Sequence, residues 1–175
     1  MRNLAAVSLI VLGACASKPG SAVSTAREIP VGGGQVRIRE TEGPAVAVVA
    51  FPLDKVWRAL PAVLDSLGIP VDHLDGSRHV IGNEAFKAHK RLGKTPLSKL
   101  IDCGSTQGFP SADEYDINLS VLTQVEADKT GATNVSTKVD ASGRPMAFPG
   151  SYSRCTTKGV LEQTIVDVLT RRLQG

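Results

Sequence analysis

The chain has 175 residues, enough for one domain with a buried core once any targeting segment is set aside. Its formal net charge is only +3, and no run of lysine and arginine stands out. That balance argues against nucleic acid as a partner.

The first element is a targeting segment, residues 1–14. Arg2 supplies a positive start, and Leu4 to Leu12 form an apolar run. The run is far shorter than the roughly 20 apolar residues that span a bilayer. Its length and flanks are those of a secretory signal peptide. The stretch Leu12-Gly13-Ala14-Cys15 resembles the bacterial lipobox. That resemblance implies that the Cys15 thiol receives a diacylglycerol, that residues 1–14 are removed, and that the new N-terminus is acylated as well. One acyl chain holds a protein marginally, whereas several hold it stably. The membrane would then be met through this lipid alone. No Asp follows the cysteine, which by the sorting rule of such lipoproteins implies the outer membrane, with the domain in the periplasm.

Residues 15–34 read as a flexible tether, rich in Ser, Ala, Gly and Pro with little to bury. Gly32-Gly33-Gly34 lacks the Lys-Ser/Thr pair and following helix of a phosphate loop, so it reads as linker or turn. Residues 35–175 read as a single domain. QVRIRET alternates apolar and charged residues, as a short strand does. AVAVVAF, Ala45 to Phe51, is continuously apolar and predicts a strand covered on both sides. Pro52 suits a helix start. Val56, Leu60, Val63, Leu64 and Leu67 then recur at helical spacing, with Trp57 flanking the stripe and Pro61 inside it. Gly68 and Pro70 end that helix.

His79 to Ala88 predicts a strand, in which Gly82 marks a bulge or a close approach. Residues 90–113 read as a long irregular segment holding one or two helical turns around PLSKLI. From Tyr115 to Ala127, apolar residues occupy alternate positions, Leu122 excepted. TNVSTKVDA alternates again after the turn DKTGA, so the pair predicts a long antiparallel hairpin with one buried and one wet face. Residues 143–154 read as a loop. The last element is a helix striped by Leu161, Ile165, Val168, Leu169 and Leu173, with Thr156 or Thr157 as its cap and Cys155 at its head. Strand, helix, strands, hairpin and helix make a two-layer α+β domain, an antiparallel sheet packed by two helices.

Lipidation of Cys15 would leave Cys103 and Cys155, which export places in an oxidising compartment where paired thiols join. A Cys103–Cys155 disulfide is the expectation; free buried thiols or a two-sulfur metal site are the rivals. A metal would need further ligands at suitable spacing, and none is evident. His73, His79 and His89 show no i, i+4 ligand spacing, and no G-x-S-x-G elbow occurs. No catalytic residue, metal or cofactor is expected, and the chain reads as a non-enzyme.

The stretch AVAVVAFPLDKVWRALPAVLDSLGIPV, a strand followed by a Trp-bearing helix, and the closing GVLEQTIVDVLTRRL resemble the BamC (NlpB) family of outer-membrane-assembly lipoproteins. The likeness covers Ala45 to Leu173. It implies a helix-grip fold, in which a curved antiparallel sheet wraps a long C-terminal helix, and outer-membrane assembly proteins as partners. The chain departs from that family in having one such domain, a short tether and a cysteine pair. Two functions follow as expectations. The first is a lipid-anchored scaffolding or protein-interaction module. The second is binding of a small apolar ligand between sheet and C-terminal helix. For either, Trp57, Leu161, Ile165 and Leu169 are the candidate groove residues.

Overall fold

The structure is a computed structural model describing residues 26–31, 34–39, 45–147 and 150–175, with backbone alone for 26–31, 34–39 and 45. The expected signal peptide, Cys15 and the first part of the expected tether lie outside the described residues. The chain divides into two units, Met1–Glu42 and Gly43–Gly175.

In the first unit, β1 (Ala26–Val31) and β2 (Gly34–Arg39) pair antiparallel, Val31 opposite Gly34 and Ala26 opposite Arg39. This corrects the tether expected over residues 15–34: from Ala26 onward that stretch contains strand. The alternation of QVRIR supplies one arm.

The second unit opens with β3 (Ala45–Val49), then α1 (Leu53–Ser66), which Pro52 precedes as N-cap and which runs on through Pro61. Next come β4 (His73–Asp75) and β5 (Val80–His89). The segment read as irregular is a chain of short elements. They are β6 (Arg91–Leu92), β7 (Thr95–Pro96), the single turn α2 (Leu97–Leu100), β8 (Ile101–Asp102), β9 (Ser105–Thr106) and β10 (Phe109–Pro110). A 3-10 turn follows at Ser111–Asp113. The long hairpin is β11 (Tyr115–Ala127) and β12 (Thr133–Pro145), after which β13 (Ser153–Thr157) leads into α3 (Val160–Gln174).

The sheet is antiparallel throughout and open, built on the row β5–β11–β12. The outer edge of β12 is shared: β3 pairs Thr133 to Thr137, and β13 pairs Ala141 to Gly143. Outside β13 lies β8. On the other side, β4 lies along Val80 to Gly82, and β6 and β7 fold back from the end of β5. The reversal between β11 and β12 is held by Asp128, whose Oδ1 accepts from the Thr130 and Ala132 amides at 2.6 and 3.1 Å. Gly82 is the close approach: a Cβ there would stand 1.9 Å from the Val121 carbonyl oxygen.

The period-two pattern sorts the faces as the sequence predicts. Ile117, Leu119, Val121 and Val125 on β11 are buried, as are Val135, Val139 and Ala141 on β12. Both helices cover that face and touch each other. The chain is therefore α+β, an antiparallel sheet layered with a C-terminal helix and α1. On the buried face the Thr123 and Thr137 hydroxyls satisfy one another at 3.1 Å, and Thr133 donates to the Phe51 carbonyl oxygen at 2.7 Å.

Three local expectations change. AVAVV is covered on one side only, because β3 is an edge strand whose Val46 and Val48 are 63% and 64% exposed. Cys155 lies within β13 rather than at the head of the last helix, because the chain stays extended to pair with β8 and β12. The N-cap of α3 is Gly159 in the left-handed region, with neither Thr156 nor Thr157 in that position. Thr157 Oγ1 instead accepts from the Gly159 amide at 3.1 Å and donates to Glu162 at 2.7 Å.

Candidate interaction surface

The four groove residues do not line a groove. Leu161, Ile165 and Leu169 are 2%, 0% and 0% exposed, part of one core with Val56, Leu60 and Leu64 of α1. Trp57 is half-buried against that core, and its ring meets the His79 ring edge-on, with centroids 5.3 Å apart. Helical spacing brings these residues to one face, and the sheet then occupies that face.

A cleft of about 440 Å³ lies elsewhere, at the C-terminal end of α1. Ile69, Pro70, Phe86 and Leu92 line it together with His89 and Arg91, and none of the four groove residues takes part. Its position follows from a contact between glycines. A Cβ on Gly68 would sit 2.9 Å from the Gly93 nitrogen, and one on Gly93 would sit 2.7 Å from the Leu67 carbonyl oxygen. Both glycines have positive φ, which spares them the Cβ strain of other residues.

The Cys103 and Cys155 sulfurs stand 2.02 Å apart, a disulfide distance. The register Thr156–Asp102 and Thr157–Ile101 leads directly to this pair, so the bridge extends the short β8–β13 ladder. It closes a separation of 52 residues.

The wet face of the sheet carries the most developed polar arrangement. Lys87 on β5, Asp116 on β11 and Arg144 on β12 converge there under Tyr152, which precedes β13. The Tyr152 hydroxyl donates to Asp116 Oδ2 at 2.7 Å and also meets Lys87 Nζ. Lys87 Nζ and Arg144 Nη2 stand 3.3 and 3.5 Å from the same carboxylate oxygen. Both cations lie over the Tyr152 ring, at 4.4 and 4.9 Å from its centroid. The Tyr152 hydrogen bond, before the neighbouring cations, holds the Asp116 carboxyl below the usual carboxylate range. Beside this group, Asp140 is flanked by Lys138 at 2.8 Å and Arg154 at 3.7 Å. Strand alternation explains why Asp116, Asp140 and Arg144 face out, but nothing in the local sequence of Tyr152 marks it as their partner.

The histidines stay apart. His73 Nδ1 is 3.4 Å from Glu84 on the neighbouring strand, His79 sits on Trp57, and His89 ends β5 in the cleft. Among the described residues, no group of three or more His, Cys, Asp or Glu is placed to hold a metal ion. No described helix is long and apolar enough to cross a membrane. No protein-family model matches the chain, and neither a curated protein nor a solved structure matches it significantly.

Proposed function

We infer that this chain is a non-enzymatic envelope lipoprotein, anchored through Cys15 at the outer membrane, that presents its globular unit to other proteins as a scaffolding module. Its partners are outer-membrane assembly proteins, the role suggested by the BamC-like pattern of Ala45 to Leu173. The observation that carries this reading is the placement of Leu161, Ile165 and Leu169 in a closed core. Packing fills those positions, which removes the ligand site expected between the sheet and the C-terminal helix and favours the exposed wet sheet face and sheet edge as contact surfaces. The lipobox-like Leu12-Gly13-Ala14-Cys15 supports the anchor, and the Cys103–Cys155 pair suits an oxidising compartment.

Two measurements test it. A clickable fatty acid supplied to cells is expected to label the wild-type chain and leave Cys15→Ser unlabelled; label retained on Cys15→Ser would remove the anchor from the proposal. Mild envelope cross-linking followed by mass spectrometry is expected to recover barrel-assembly subunits. Stoichiometric recovery of a small apolar molecule without those subunits would overturn the scaffolding role.

A further inference from the structure

The cleft at the C-terminal end of α1 has walls of opposite charge. One wall is the end of that helix and the residues after it, with Asp65, Gly68, Ile69 and Pro70 in the lining. A helix C-terminus carries a partial negative charge, which a lysine or arginine in the last turn commonly answers. The last turn of α1 has no basic residue and holds Asp65, so a carboxylate adds to the pole instead of offsetting it. The other wall runs from the end of β5 into β6 and brings His89 and Arg91 to the lining. Arg91 Nη1 donates to the Lys94 carbonyl oxygen at 3.1 Å, which steadies the guanidinium and leaves its other donors for a carboxylate. Among the described residues, Asp65, His89 and Arg91 take part in no ion pair, with one another or with any other group. Lys87 also lines the cleft, but its Nζ is held on the wet face by Asp116 and Tyr152.

We propose that this cleft binds a small zwitterion, an α-amino acid or short peptide with an apolar side chain. Asp65 and the carbonyl end of α1 would take the ammonium group. Arg91 would take the carboxylate, with His89 as a second donor. Ile69, Phe86 and Leu92 supply the apolar lining for the side chain. Charge complementarity selects this class. A simple anion would meet the Asp65 wall, and a simple cation would meet Arg91, whereas a molecule with both charges satisfies both walls. The volume of about 440 Å³ is that of a small-molecule site and is ample for a ligand of this size. The walls are also fixed beforehand, because Gly68 at the end of α1 packs backbone to backbone on Gly93 after β6. A preformed site spends less binding energy on ordering itself. This site is independent of the anchor and of the contact surfaces proposed above.

The test is nuclear magnetic resonance of the nitrogen-labelled full chain in detergent, titrated to millimolar concentration with four probes. Leucine and leucyl-leucine carry both charges, leucinamide lacks the carboxylate, and N-acetylleucine lacks the ammonium. Saturable shifts of the Gly68, Ile69 and His89 to Gly93 amide signals are expected with a zwitterion, and the tighter of the two zwitterions tells amino acid from peptide. Leucinamide and N-acetylleucine are expected to bind at least about tenfold more weakly than leucine, as loss of a charge-assisted hydrogen bond implies. Arg91→Gln is expected to bring leucine down to the level of leucinamide, and Asp65→Asn to that of N-acetylleucine. Both residues are exposed, so neither change should move the melting temperature. No saturable shift with any probe, or leucinamide or N-acetylleucine binding as tightly as leucine, would overturn the proposal.

Discussion

Thr157 and Glu162 tie the end of β13 to the first turn of α3. Glu162 is 4% exposed, and its Oε2 has no partner among the described residues, so the carboxylate depends on Thr157 for the one side-chain hydrogen bond that its other oxygen accepts. A buried polar group that loses its partner keeps the full desolvation cost. Thr157→Val is therefore expected to destabilise the fold by about 1–3 kcal/mol, read by urea denaturation. At Asp116 the same scale governs pH. Asp116, Asp75 and Asp128 all titrate below the usual carboxylate range, each chiefly through a side-chain hydrogen bond, from Tyr152, Ser77 and Thr130 respectively. A carboxyl with a depressed folded value stabilises above its unfolded value, about 3.9, and loses that contribution as pH falls through the folded value. The urea midpoint is expected to hold down to about pH 4 and fall below it, with a shallower fall in Asp116→Asn. Strand alternation puts Asp116 on the wet side of β11 and says nothing of its partners. Its partners come from β5, β12 and the residue stretch before β13, and only the fold assembles them.

At the scale of elements, the hairpin β11–β12 was legible because its alternation is long enough to specify register. Gly82 was legible as an anomaly within a strand, and its cause is the Val121 carbonyl across the ladder. Gly82→Ala would need that backbone to move, in a conformation with φ of 153° that other residues rarely adopt. A loss of about 3 kcal/mol or more is expected, seen as a large drop in melting temperature. The short ladder between β8 and β13 was not legible, since paired strands of two residues leave no period to read. The cysteines were the usable signal there. By the chain-entropy account, replacing both Cys103 and Cys155 by Ser is expected to cost about 4 kcal/mol, and reductant should lower the melting temperature of the wild-type chain alone. The opposite error occurred at β3. A continuous apolar run reads as covered on both sides, yet Val46 and Val48 are exposed because no described strand or helix reaches that part of the wet face.

For the whole molecule, the question is whether α3 closes the core or roofs a binding site. Ile165 at 0% exposed answers for closure. Ile165→Ala is expected to cost about 2–5 kcal/mol in thermal or chemical unfolding, as large-to-small changes in closed cores do. A cost near zero would mark a residue facing open space. The sequence by itself determined the α+β class, the two amphipathic helices and the wet and buried faces of the long hairpin, and it made Cys103–Cys155 the expected cysteine pair. Each of these follows from local periodicity or from counting residues. Only the tertiary structure decided that the helical stripes meet each other and the sheet without leaving a groove, that β3 takes an edge, and that Asp116 lies under Tyr152. Those outcomes depend on which segments become neighbours across long sequence separations, and local period carries no record of that.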